Sequence, residues 1–304
     1  MKKHFPGYYP MNEDEISDMW DSAQLVIDDS FLLDIIKLDF SLANELLSIL
    51  NDKSIKNRLW IPYDVAWLYH AKVNHEIMNQ INNIESTMSY LTKCKEDILF
   101  NKRFPYVSDD IKRDLNYLSI SMEQECKSQI DELSNSLKSS PIKEKIDNLF
   151  NDKIGDEYDT SSLNEIYKQS NTRYANSIPP GYLCIESTDF RMKYHDMVIW
   201  EEMQKHAINN EKDIIFATSN VRDDWFYIIN SKIISPRQEI INEFKNKTGK
   251  RFHCLSSYDF LYECCKRFNI CSPNLLNIIN CFSRFTNDDS NYNIISNNSE
   301  NSIN

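Results

Sequence analysis

Short apolar runs, each ending abruptly at a polar or turn residue, set the rhythm of the chain. Leu25-Val26-Ile27 stops at Asp28 and Asp29, and Leu59-Trp60-Ile61 stops at Pro62. Asp213–Thr218 (DIIFAT) and Arg251–Leu255 follow much later. Continuous β-branched and apolar residues of this length read as strands buried on both faces of a parallel sheet. Between them the period changes to that of helices. Segments 31–38 and 41–51 follow the first run, the second with Ser41 in an N-cap position. From Tyr63 toward Glu76, the residues Val65, Tyr69, Val73 and Ile77 share one stripe. A further helix over 194–209 carries Asp196, Trp200, Met203 and Ala207 on one side. Ser235-Pro236-Arg237-Gln238 has a capping-box pattern with Pro at the first helical position, and Gly249 supplies a stop, which predicts a helix over 236–248. A last helix is expected over 257–268. Strands alternating with helices predict an α/β fold with a doubly wound, mainly parallel sheet.

From residue 77 the pattern becomes a seam. Ile77, Ile81, Ile84, Met88 and Leu91 recur in steps of four and three, as do Ile111, Leu115, Leu118, Met122, Cys126, Ile130, Leu133 and Leu137. Pro105, in Arg103-Phe104-Pro105-Tyr106-Val107-Ser108, separates the two stretches. An antiparallel helical hairpin inserted into the α/β body is the simplest reading. The expected organisation is an α/β domain in 1–76 and 171–268, a helical insertion over 77–170, and a C-terminal segment 269–304. Within the insertion, 139–176 reads as polar and weakly helical. Before the first strand, residues 1–20 read as a mixed polar arm. From about 287 the tail is Asn/Ser-rich, the composition of a disordered segment.

Composition narrows the class. The 304 residues are 41% hydrophobic and 26% charged, as in ordinary soluble proteins, and no apolar run is long enough to cross a bilayer. The N-terminus shows no secretory pattern, so a cytoplasmic location is the default expectation. A net charge of −12 argues against broad, nonspecific nucleic-acid binding. The eight cysteines contain no C-x-x-C pair and read as buried thiols, with Cys254, Cys264, Cys265 and Cys271 as a remote zinc possibility.

Phosphate-binding and nucleophile motifs are absent from the sequence, which has only four glycines. The remaining chemistry is acidic. Asp28 follows one strand, Thr218-Ser219-Asn220 follows another, and Asp196 opens a helix before the second. If those strands are neighbours, the groups converge at the sheet edge where α/β proteins bind ligands, as a Mg²⁺ or Mn²⁺ site for phosphoryl transfer requires. The competing reading is that Asp28 and Asp196 are helix N-caps. Asp29 is expected on the opposite sheet face. Arg222 is placed to guide a phosphate. Trp225-Phe226 could stack on a base or belong to the core. His195 could assist proton transfer or be structural, and Lys245, Lys247, Lys250 and Arg251 could touch phosphate or form a solvated turn.

Taken together, VIDDSFLLDI, RLWIPYDVAWLYH, IPPGYL, YHDMVIW, DIIFATSNVRDDWF and SPRQEIINEFKNKTGKRFHCLS resemble the bacterial PIN-like domain family, over roughly residues 5–268. That family is related to the PIN ribonucleases and carries a long helical insertion. The resemblance implies a metal-dependent nuclease, most simply an endoribonuclease, with Mg²⁺ or Mn²⁺ as cofactor and RNA as substrate. A toxin, RNA-processing or phage-defence setting would go with it. Asp28 and Asp196 match two of the usual metal-holding acids. Leu68 stands where the family has Glu, Asn220 where it has Asp, and Cys184 where an acid commonly follows PPGY, while Thr218 and Asp224-Trp225 are kept. Asp64, one helical turn before Leu68, could substitute as a ligand. Catalytic roles would then fall to Asp28, Asp196, Asn220 and Thr218, and substrate contacts to Arg222 and Trp225. The alternative is a catalytically inactive module that binds RNA, or a protein partner through the hairpin.

Overall fold

The computed structural model describes residues 1, 5–100, 107–183 and 189–281. These fall into two compact units, Met1–His70 with Lys145–Asn304, and Ala71–Glu144.

The first unit is built on β1 (Gln24–Ile27), β2 (Leu59–Trp60), β3 (Ile214–Thr218) and β6 (Phe252–Ser256), in the order β2-β1-β3-β6 and parallel throughout. Register brings Ile27 beside Ala217 and Thr218 beside Ser256, so β1, β3 and β6 end level with one another. Leu25, Val26, Ile27 and all of β3 are buried, as two-sided packing demands. On one face Trp200 meets Trp225, Phe244 and Phe252 at ring distances of 6.1, 5.4 and 5.1 Å. Elsewhere in the core Phe260 lies 5.8 Å from Trp20 and 6.1 Å from Phe31. Lys153 and Gly155 bond the main chain of Ile61 and cover the outer edge of β2.

The helices of this unit follow the expected alternation, with informative differences. Residues 1–20 hold a helix, α1 (Glu13–Ser22), started by an Asn12/Glu15 capping box and anchored by Met19 and Trp20. Helix α2 (Asp29–Lys37) begins two residues earlier than its apolar pattern suggests. Helix α3 (Phe40–Leu50) is capped by Asp39, which accepts from the amides of Ser41 and Leu42, so Ser41 is not the cap. A single turn, α4 (Lys53–Lys56), leads to β2.

Helix α5 (Tyr63–Phe100) runs unbroken through residue 77 and carries the chain into the second unit. There it faces α6 (Asp109–Ser136) across a groove lined by Met88, Leu91, Ile98, Leu115, Leu118 and Met122. The heptad-like seam is real but shallow. Ile111 and Leu118 are each 56% exposed and no residue of α6 is buried, because a helix pair has no third layer to close over its stripe. Pro105 lies outside the described residues.

Segment 139–176 is far from weakly helical. It forms α7 (Pro141–Phe150) and α8 (Thr160–Ala175), with Ile146, Leu149, Phe150, Ile166 and Tyr174 buried. Helix α9 (Phe190–Asn210) starts at an Asp189 cap, so Asp196 lies inside the helix rather than at its opening. Ser235-Pro236 is not a helix start. It ends β5 (Lys232–Pro236), which pairs with β4 (Phe226–Ile229) in a hairpin turning through positive-φ Asn230 and Ser231. Helix α10 (Gln238–Thr248) starts after Arg237 without a side-chain cap and stops at Gly249 (φ 71°), as expected. Helix α11 (Ser257–Phe268) closes the unit. Residues 282–304, including the Asn/Ser-rich tail, lie outside the described residues.

Candidate functional site

The carboxyl ends of β1, β3 and β6 are lined with oxygen-bearing side chains. Asp28, one residue past β1, donates its amide to Ala217 O at 3.0 Å and holds the N-cap position of α2. Its side chain does not cap that helix. Instead Oδ2 accepts the Ser30 and Thr218 hydroxyls, each at 2.6 Å. Ser30 Oγ accepts the Ser219 amide at 3.1 Å, and Ser219 Oγ lies 2.7 Å from Ser257 Oγ. Three strand ends are thereby stitched into one hydroxyl-rich rim.

Asp29 belongs to this rim. Strand alternation would send it to the opposite face, but the strand ends at Ile27 and Asp29 is the first residue of α2, where the period of two no longer applies. It is buried, its side chain meets that of Asp28 in a hydrogen bond, and its negative charge reaches Asp64. Burial, followed by the charge of Asp29, pushes the Asp28 carboxyl up to about 7.

The other acids are covered by arginines. The Arg222 guanidinium donates to Asp196 Oδ2 and lies 3.2 Å from Asp224 Oδ1. Trp225 Nε1 donates to Asp196 Oδ1 at 3.3 Å, and His195 Nε2 is 3.5 Å from the same oxygen. Burial alone would raise Asp196, but Arg222, His195 and these hydrogen bonds hold its carboxyl well below the usual range. Asp224, fully buried, accepts the amides of Gly181 and Leu183 through Oδ2 at 3.1 and 3.2 Å. Asp64 is paired with Arg191 at 2.8 Å, and that guanidinium also stacks 3.8 Å over the Trp67 ring. Burial raises both Asp64 and Asp224.

These placements sort the sequence-derived candidates. Thr218 touches Asp28, and Asn220 is tied into the turn by its amide donating to Thr218 Oγ1 at 3.0 Å. Asp196 groups with Arg222, Trp225 and Asp224, whereas the acid against Asp28 is Asp29. Trp225 is 1% exposed and packs on Phe216 and Trp200, so it has no face for a base, and Phe226 is equally buried. His195 Nδ1 is 2.7 Å from Met192 O. In the basic turn, Lys247 pairs with Glu201 and Glu243, and Arg251 with Asp213. Cys184 lies outside the described residues. Arg191 and Ser30 gave no signal of their own in the sequence, since an isolated Arg or Ser has no periodicity or spacing to mark it.

A level parallel-sheet edge bearing acids and hydroxyls defines an α/β domain with a polar site at the carboxyl ends of its strands. The chain matches the family described as PIN like domain over residues 24–240 and belongs to that family. No curated protein and no solved structure matches it.

PIN domains generally use divalent metal ions, and the residues present here do not fit a two-ion centre. Leu68 is buried and offers no ligand, and Asn220 has no charge. Arg191 and Arg222 occupy the carboxylates of Asp64, Asp196 and Asp224. Among the described residues, no three His, Cys, Asp or Glu side chains are placed to share an ion.

Proposed function

We propose that this chain is a PIN-like domain that holds RNA beside the arginine-covered acids Asp64, Asp196 and Asp224 and does not cleave it by the two-ion route. One observation carries the reading: arginines stand on the acids, Arg222 between Asp196 and Asp224 and Arg191 on Asp64. A phosphodiester cannot approach a bare group of carboxylates, because the like charges repel it. In a metal nuclease, divalent ions remove that repulsion and also activate water. A guanidinium performs the first task only, since it stays protonated and does not turn water into hydroxide.

The second reading is a nuclease working with one Mg²⁺ or Mn²⁺. Retention of Asp28 and Asp196 favours it, because Mg²⁺ is often bound through one or two carboxylates. The test uses labelled single-stranded RNA. In EDTA, the native chain is expected to bind RNA and Arg222→Gln to bind it at least about tenfold less tightly. With Mn²⁺ or Mg²⁺, native protein and Asp28→Asn are expected to show the same background cleavage. Divalent-dependent cleavage lost in Asp28→Asn would replace this reading with the nuclease one.

A further inference from the structure

Helices α5 and α6 hold more apolar surface between them than two helices can cover. Past residue 70, α5 brings Met88, Leu91 and Ile98 to the groove, and α6 brings Leu115, Leu118 and Met122. The groove is open to water: Leu118 is 56% exposed, Met122 38% and Ile98 37%. None of the 28 residues of α6 is buried. In helical bundles such stripes are closed by further helices packed along the same seam. An apolar stripe of this length left in water marks a docking surface.

The pattern, charge and size of this face all match its own copy. Apolar steps of four and three run through both helices, so the hairpin is half of a four-helix bundle, and another hairpin of the same pattern completes it. Residues 71–144 hold ten Lys and Arg against twelve Asp and Glu, a balance of −2 in a chain of −12. Two copies therefore meet here with little net repulsion. The groove itself carries a charge of each sign, Lys95 from α5 and Glu123 from α6. A two-fold axis across the helices, midway between these residues, sets Lys95 of each copy level with Glu123 of the other. A helix of this length spans about 42 Å and a helix pair is about 20 Å wide. One face thus offers roughly 800 Å², the area each partner gives to a stable interface.

We propose that the hairpin of Ala71–Glu144 is a self-association surface, on which a second copy of this chain lays its own α5–α6 groove about a two-fold axis to close a four-helix bundle. Leu118 and Met122 then pass from water into the bundle core. The Lys95–Glu123 pair forms twice, because the same patch serves both copies. A partner of different sequence would have to supply the same stripe and the opposite charge at each rim. A second copy has both by construction.

Sedimentation equilibrium of the full chain at micromolar concentrations is expected to give twice the 35.9 kDa chain mass. Leu118→Glu should stay at the single-chain mass with an unchanged circular-dichroism spectrum, because the buried carboxylates have no partner in the closed bundle. Ile234→Glu, at an exposed apolar position of β5 in the first unit, should dimerise like the native chain. Lys95→Glu sets two carboxylates together at each rim and should weaken association at least about tenfold. Adding Glu123→Lys restores opposite signs and should bring association back to within about threefold of native. This charge exchange carries the test if Leu118→Glu does not fold. A native chain of single mass throughout, Leu118→Glu dimerising as the native chain does, dissociation of Ile234→Glu, or a double variant no stronger than Lys95→Glu would each overturn the proposal.

Discussion

Asp28 carries its negative charge where both burial and Asp29 oppose it. The sign of the consequence is definite. A carboxyl raised to about 7 keeps a proton that the unfolded chain releases near pH 4. From about pH 4 to about pH 7 the native state therefore binds more protons than the unfolded one, and stability falls as pH rises. Asn has the same shape and no charge. Urea denaturation of Asp28→Asn and native protein at pH 5 and pH 8 should show the variant gaining relative to native, on the order of 3 kcal/mol at the higher pH. Equal pH slopes would mean that Asp28 is ionised without cost. Arg222 works in the opposite sense, compensating buried Asp196 and Asp224. Arg222→Gln should destabilise the fold by about 3 kcal/mol at neutral pH. The loss should shrink as pH falls and the stranded carboxyls protonate. Urea midpoints at pH 5 and 7 check it. The sequence disclosed Asp28 and Thr218 because a strand end is a positional signal. It misplaced Asp29, because one residue separates the last turn of the pleat from the first turn of the helix. It did not disclose the pairing of Arg191 with Asp64, because partners 127 residues apart leave no local trace.

At the level of elements, the parallel strands and most helices were legible because two-sided burial writes continuous apolar runs and Gly249 marks a true stop. The hairpin of β4 and β5 was not. Its half-exposed strands lack a clean alternation, and the Ser-Pro step imitated a helix start. Helix α8 was hidden by its polar composition, although Ile166 and Tyr174 anchor it. The loop before α9 holds a constraint that bears on the site. Gly181 has φ 92°, and a Cβ there would come within 2.7 Å of Asp196 Cβ and 2.3 Å of the Tyr174 hydroxyl. Its amide also donates to Asp224. Only glycine combines that backbone conformation with so close an approach. Gly181→Ala should cost about 2–4 kcal/mol, from strain and overpacking together. Because the added methyl presses on Asp196, it should also weaken RNA binding. A thermal midpoint within 1 °C of native, with unchanged RNA affinity, would show that the loop yields freely.

For the molecule as a whole, the question is whether cations built into the chain have taken over from cations borrowed from solution. Net charge is −12, yet three buried acids of the site, Asp64, Asp196 and Asp224, are matched by Arg191 and Arg222. If this substitution defines the site, native stability should be indifferent to divalent ions. Restoring the missing acids should then create a dependence. Leu68 lies one turn beyond Asp64 on α5, and Asn220 follows Thr218, so Leu68→Glu with Asn220→Asp returns carboxyl groups to both positions. Without an ion, a carboxyl in place of fully buried Leu68 should cost about 3 kcal/mol. With Mn²⁺ at one hundred times its dissociation constant, binding to the folded state alone returns about 2.7 kcal/mol. In a chain of this size that corresponds to a rise of roughly 5 °C in thermal midpoint. The native protein, heated with and without Mn²⁺, should move by less than 1 °C. A native shift as large as that of the double variant would mean that Asp28 and Asp196 already hold an ion firmly. In that case the arginines are neighbours of a working metal site rather than its replacement.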